Sequence, residues 1–153
     1  MSSPQDLIDL LKSPSLRNRN GLWLLPANQI ANAPNLAARH GLDASDLRQG
    51  WLDNLPEGTR YARITEQRIL QFLGTLSNQS TGSDPLLLYH LDLLLARLSY
   101  QECQNFWDSF FRSFPHHRRA LLALMPHAAH ALLPPTAVLD DLEKSTRLFI
   151  APH

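Results

Sequence analysis

An α/β fold is predicted, three-layered, with a mostly parallel sheet of about four to five strands and helices on both faces. Three observations predict it. Short runs of continuous apolar residues recur along the chain, which suits strands buried on both sides. Segments with helical spacing separate those runs. Prolines and polar clusters punctuate the joins. A chain of 153 residues suits one domain and buries enough surface to need no staples. No internal repeat or linker divides it. Residues 1–153 therefore read as a single α/β domain, with 1–20 a short helix and polar connector.

Taken in order, residues 4–12 form an amphipathic helix with Leu7, Ile8, Leu10 and Leu11 on its apolar side. Gly21 to Leu25, closed by Pro26, is the first buried strand. Ala27 to Asn32 reads as a loop. Pro34 suits the first turn of a helix that ends near Gly41. Asp43 or Ser45 caps a further helix reaching about Asn54, with Leu47, Trp51 and Leu52 inward. Tyr61 to Ile64 is a short strand. Thr65 starts a helix whose inner face is Ile69, Phe72, Leu73 and Leu76. Asn78 to Pro85 is a loop of turn-formers.

Leu86 to Tyr89 is the second clear strand. The apolar run continues too far for one strand, so Leu91 to Leu98 reads as a helix. Ser99 and Glu102 make a capping box for a helix that runs to about Phe114, where Pro115 ends it. Ala120 to Met125 is the third strand, His127 to Leu133 a short helix, Val138 to Lys144 another, and Arg147 to Ala151 the last strand.

Composition narrows the function. The chain has 14 basic and 14 acidic residues, so its net charge offers no general pull toward nucleic acid or anionic membrane. It is 44% hydrophobic and 18% charged, which argues against disorder. No segment has the roughly 18 apolar residues of a membrane span. No secretory signal is evident, so a cytoplasmic location is expected. The one cysteine, Cys103, excludes an internal disulfide and a multi-cysteine zinc site.

Parallel sheets of this kind bind ligands beyond the carboxyl ends of their strands. A triphosphate site there needs G-x-x-x-x-G-K-[ST] after the first strand, whose amides, lysine and hydroxyl hold phosphate and magnesium. Here the first strand runs into Pro26-Ala27-Asn28-Gln29-Ile30-Ala31-Asn32-Ala33-Pro34. That stretch has no glycine, lysine, serine or threonine, and both prolines lack a backbone donor. No cofactor is expected. After the second clear strand, Tyr89 and His90 stand where a magnesium carboxylate belongs, and Asp92 follows late. Asn28, His90 and Asp92 are the candidate crevice residues. The plainer role for Asp92 is to cap the helix it begins.

The layout over about residues 20–133 resembles that of the small P-loop-containing protein of bacteriophage-exclusion systems (the BrxF-like family). The features that carry the resemblance are the Leu22–Leu25 strand, the Leu36–Gly41 helix end, the Thr65–Leu76 helix and the Leu86–Leu95 apolar stretch. The glycine-rich loop of that family is missing. The resemblance implies a degenerate, non-hydrolysing relative in an antiphage complex, partnered by a larger defence subunit or by itself.

His116, His117, His127 and His130 are potential metal ligands, but H-E-x-x-H is absent and loop histidines are the plainer reading. No metal is expected. Arg118 and Arg119 form a candidate basic patch for a phosphate backbone, or for an acidic partner surface. Phe106, Trp107, Phe110 and Phe111 are more aromatic than one helix face needs. They are either a wide core surface or a candidate interface. Cys103 has no activating partners and reads as inert packing. The G-x-S-x-G elbow of nucleophilic hydrolases is absent. The expected function is a non-catalytic interaction subunit. The alternatives are a nucleotide sensor or hydrolase with a non-standard site, and a nucleic-acid adaptor.

Overall fold

The computed structural model describes residues 3–13, 18–53, 63–79, 81–114 and 118–152. Five strands form one parallel sheet: β1 (Gly21–Leu25), β2 (Ala44–Asp46), β3 (Leu86–Tyr89), β4 (Leu121–Pro126) and β5 (Leu148–Ile150). Their order across the sheet is β2-β3-β4-β1-β5. All pairings are parallel, with Leu25 opposite Pro126 and Leu24 opposite Ile150.

Side chains alternate across the strands with a period of two and sort into two cores. Leu22, Leu24, Leu86, Leu88, Leu121, Ala123 and Met125 face one side. Against them pack α3 (Leu47–Asp53), α4 (Glu66–Ser77), α5 (Leu91–Leu95), α6 (Tyr100–Asp108) and α7 (Thr136–Lys144). Trp23, Leu25, Leu87, Leu122 and Leu124 face the other side. There they meet α1 (Pro4–Leu11), α2 (Ala33–Arg39) and Ile30 of a 3-10 turn over Ala27–Asn32. The three-layer α/β prediction therefore holds, with the sheet at five strands.

The helix starts follow their sequence signals. Ser99 accepts from the Glu102 amide at 3.2 Å while the Glu102 carboxylate accepts from the Ser99 amide at 3.1 Å, a complete capping box. Thr65 accepts from the Arg68 amide at 3.2 Å. Gly41, just past α2, has φ of +70°, the left-handed geometry that glycine adopts without penalty.

Four local expectations need correction. The helix expected over 43–54 is a three-residue strand, β2, followed by α3; pairing with β3 overrides the helical pattern of so short a stretch. The loop expected over 27–32 is a 3-10 turn, closed at its start by Gln29 N–H donating to Pro26 O at 2.9 Å. The short helix expected over 127–133 is reduced to a 3-10 turn at His130–Leu132. For the strand expected over 61–64, Tyr61 and Ala62 lie outside the described residues, and Arg63 and Ile64 belong to no strand.

Of the two readings of the aromatic helix, the wide core surface is the one found, and the candidate interface is not. Phe106, Trp107 and Phe110 are fully buried and Phe111 nearly so. Phe106 stacks on Phe110, and Trp107 on Phe111, each at 5.5 Å between ring centres. Trp107 Nε1 donates to Leu132 O at 2.7 Å, tying the helix to the loop after β4. Two adjacent stripes are needed because the helix lies between α4 and that loop as well as over the sheet.

After Asp108 the helix widens to a π turn over Ser109–Ser113. The carbonyls there are taken by side chains from elsewhere. Asn18 and Asn20 each donate to Phe110 O at 3.0 Å, and Arg147 donates to Phe111 O at 3.5 Å. Trp107→Ala should cost about 3–5 kcal/mol, through lost burial and loss of the stronger of two donors to the Leu132 carbonyl. Urea unfolding followed by circular dichroism measures this; a loss below about 1 kcal/mol would contradict the core assignment.

Candidate functional site

The chain leaving β1 turns to the α2 face of the sheet, while the chain leaving the adjacent β4 turns to the α7 face. The crevice of the fold therefore lies between the carboxyl ends of β1 and β4. His127 N–H donates to Leu25 O at 2.9 Å, and His127 is buried. Beyond Leu25 the backbone goes directly into the 3-10 turn, in which Asn28 is exposed. The turn has no glycine and begins at a proline, so it cannot curl around a phosphate with convergent amides.

One strand further out, two side chains converge. His90 Nδ1 lies 2.8 Å from Asp46 Oδ1. Asp46 ends β2 and His90 follows β3, so parallel pairing of these strands, with Asp46 opposite Tyr89, brings them together. Asp46 is itself anchored, because Oδ1 accepts from the amides of Arg48 at 3.1 Å and Gln49 at 3.4 Å, as an N-cap of α3. A carboxylate only accepts, so Nδ1 of His90 carries a proton in this pair. His90 has φ of +65°, uncommon for a residue with a Cβ. The Tyr89 ring sits 4.8 Å from the His90 ring.

Partial burial on its own pushes the Asp46 carboxyl up. The bond and charge of His90, with the Gln49 and Arg48 amides, outweigh it and hold the group below its ordinary value. Burial pushes the Tyr89 hydroxyl up, and the Asp46 charge adds to this.

Of the candidate crevice residues, His90 and Asp92 share the β3–α5 corner, while Asn28 lies beyond β1, separated from β3 by β4. Asp46 is the partner that sequence reasoning missed. Its signal is an acidic residue just before Leu47-Arg48-Gln49, with Asp43 and Ser45 competing as caps for the same stretch.

The basic patch does not join this site. Arg118 and Arg119 precede β4, at the amino edge of the sheet, about 20 Å from the crevice along six residues of strand. Arg118 is exposed, but Arg119 is 6% exposed, which corrects its reading as a surface cation. Its guanidinium donates to Ser83 O at 2.7 Å and Gln79 Oε1 at 3.1 Å, and lies 3.9 Å from Asp43. It braces the loop before β3, where Gly82 has φ of +105° and leaves no room for a Cβ beside it.

His116 and His117 lie outside the described residues. His130 is exposed and His127 buried. Among the described residues, no three His, Cys, Asp or Glu side chains are grouped to hold a metal. Burial pushes the Cys103 thiol up to about 11, consistent with inert packing. No helix among the described residues is long and apolar enough to cross a membrane.

Because the folded state depresses the Asp46 carboxyl, its contribution is fully present above the ordinary value of 3.8 and is lost as pH falls through the lower folded value. Stability of the native chain should therefore fall below about pH 4 more steeply than that of Asp46→Asn. Urea midpoints across that range measure the difference; parallel slopes would mean that the pair is not formed. No family model, curated protein or solved structure matches the chain.

Proposed function

We propose that this chain is a non-catalytic protein-interaction subunit built on a degenerate P-loop-like fold. It is related to the small P-loop-containing protein of bacteriophage-exclusion systems and assembles with a larger defence subunit or with itself. One observation carries the reading. At the switch point between β1 and β4, where such a fold would hold a triphosphate, the chain enters a proline-initiated 3-10 turn without glycine, lysine or hydroxyl. A sheet retained without its phosphate apparatus has kept its shape and lost its chemistry. The neutral net charge offers little resistance to association.

The Asp46–His90 pair favours a second reading, a sensor or hydrolase that uses the β2–β3 end of the same edge in a non-standard way. A nucleic-acid adaptor has less support, since Arg119 is consumed by internal bonds.

Calorimetric titration with magnesium ATP and magnesium GTP, with a parallel melting curve, separates the first two. The proposal expects no heat and no shift in Tm. Micromolar binding, which raises Tm with ligand concentration, would overturn it in favour of the second reading.

A further inference from the structure

We infer that Asn20–Gly21 is a deamidation site gated by the fold. The native state keeps Asn20 intact, and unfolding commits it to irreversible conversion. The dipeptide is chemically labile because glycine has no Cβ to shield its nitrogen. In a flexible chain the Gly21 nitrogen attacks Asn20 Cγ. A C–N bond forms, the side-chain nitrogen leaves as ammonia, and a cyclic imide results. One water then opens the imide at either carbonyl, leaving aspartate or isoaspartate. No electrons are transferred, and water is the only co-reactant.

Packing favours this pair of residues. A Cβ at Gly21 would lie 2.8 Å from Leu11 Cδ1 and 3.3 Å from Arg147 O. A larger first residue in β1 would need the end of the Leu11 side chain to shift and the Arg147 carbonyl to give by a few tenths of an ångström, so glycine fits here without adjustment. Asn20 is required for the opposite reason, since it must both donate and accept. Its Nδ2 donates to Phe110 O at 3.0 Å and its Oδ1 accepts from the Leu121 amide at 3.1 Å. Aspartate offers no donor at neutral pH, and no other side chain of this length offers both.

The same contacts close the reaction in the folded state. With both amide atoms held, Cγ cannot swing toward the Gly21 nitrogen, which is itself fixed in β1. Asn20 is 3% exposed, so water to protonate the leaving amine and open the imide is excluded. Once formed, the product does not fit. Aspartate would set a carboxylate oxygen against the Phe110 carbonyl, and isoaspartate would add a backbone atom immediately before β1 and shift its register. Unfolding thus becomes a one-way step for any chain that stays open long enough.

The test compares native protein with protein held in urea, both in mildly alkaline buffer at 37 °C, with peptide mass mapping over time. Conversion at Asn20 is expected in urea, ahead of the other asparagines, and slower in the native protein by at least about a hundredfold, because only the opened population reacts. Refolding yield should fall in step with Asn20 conversion. A matched urea incubation at mildly acidic pH, where the glycine nitrogen is not activated, should leave both the residue and the yield intact. Equal rates in native and unfolded protein, earlier loss of another asparagine, or full refolding of converted chains would each overturn the inference.

Discussion

The guanidinium of Arg147 is the tie on which the sheet is assembled. It reaches from the residue before β5 under the start of β1, donating to Asn18 O, Asn18 Oδ1 and Asn20 O at 2.9–3.2 Å. Its ring-facing side lies 6.0 Å from the Phe111 ring, Nη2 donates to Phe111 O and Nε to Ser145 Oγ. Burial pushes this guanidinium down from its ordinary value, which marks how far it has left water. Asn20 extends the tie by bonding both the π turn after α6 and the first amide of β4. Strand starts and a widened helix end, from separate parts of the chain, thereby satisfy one another. Buried backbone groups without such partners would each cost about 1–3 kcal/mol.

The amino edge of the sheet continues in the same manner. Arg19 pairs with Asp84 at 2.9 Å, and Asp84 accepts from the Ala120 amide at 2.8 Å. Arg119 holds the loop before β3. Arg19, Arg119 and Arg147 thus spend their donors on internal groups of the chain. This is why a basic patch read from adjacent arginines turns out to be half scaffold. At the opposite edge the turn after β1 has no glycine to form a phosphate cradle, and Asp46 and His90 pair one strand beyond β4. The amino edge thus holds the strand starts together through side chains from separate parts of the chain.

Much of the architecture was legible because it rests on local patterns. The strands β1, β3, β4 and β5 are apolar runs closed by turn-formers, and the caps at Thr65 and Ser99 sit where their spacing places them. β2 was not legible, because Ala44-Ser45-Asp46 has no apolar pattern and is a strand only through its pairing with β3. The missing phosphate loop could be read directly, since absent glycines need no structure to be counted. The Asp46–His90 pair could not, because 44 residues separate its members and only the β2–β3 register joins them. The Arg147 tie was hidden for the same reason, with partners 127 and 129 residues away. The aromatic residues were visible, but whether they faced a core or a partner depended on α4 and the β4–α7 loop covering them.

The most direct test of this account is native-state hydrogen exchange on Arg147→Met, which keeps the apolar stem and removes the tie. Global stability should fall by about 3 kcal/mol or more, since several bonds to a charged group are lost at once. The Leu22 and Leu121 amides, at the starts of β1 and β4, should lose protection ahead of the α4 amides. A stability change under about 0.5 kcal/mol, with protection unchanged at those two amides, would mean that the sheet stands without Arg147.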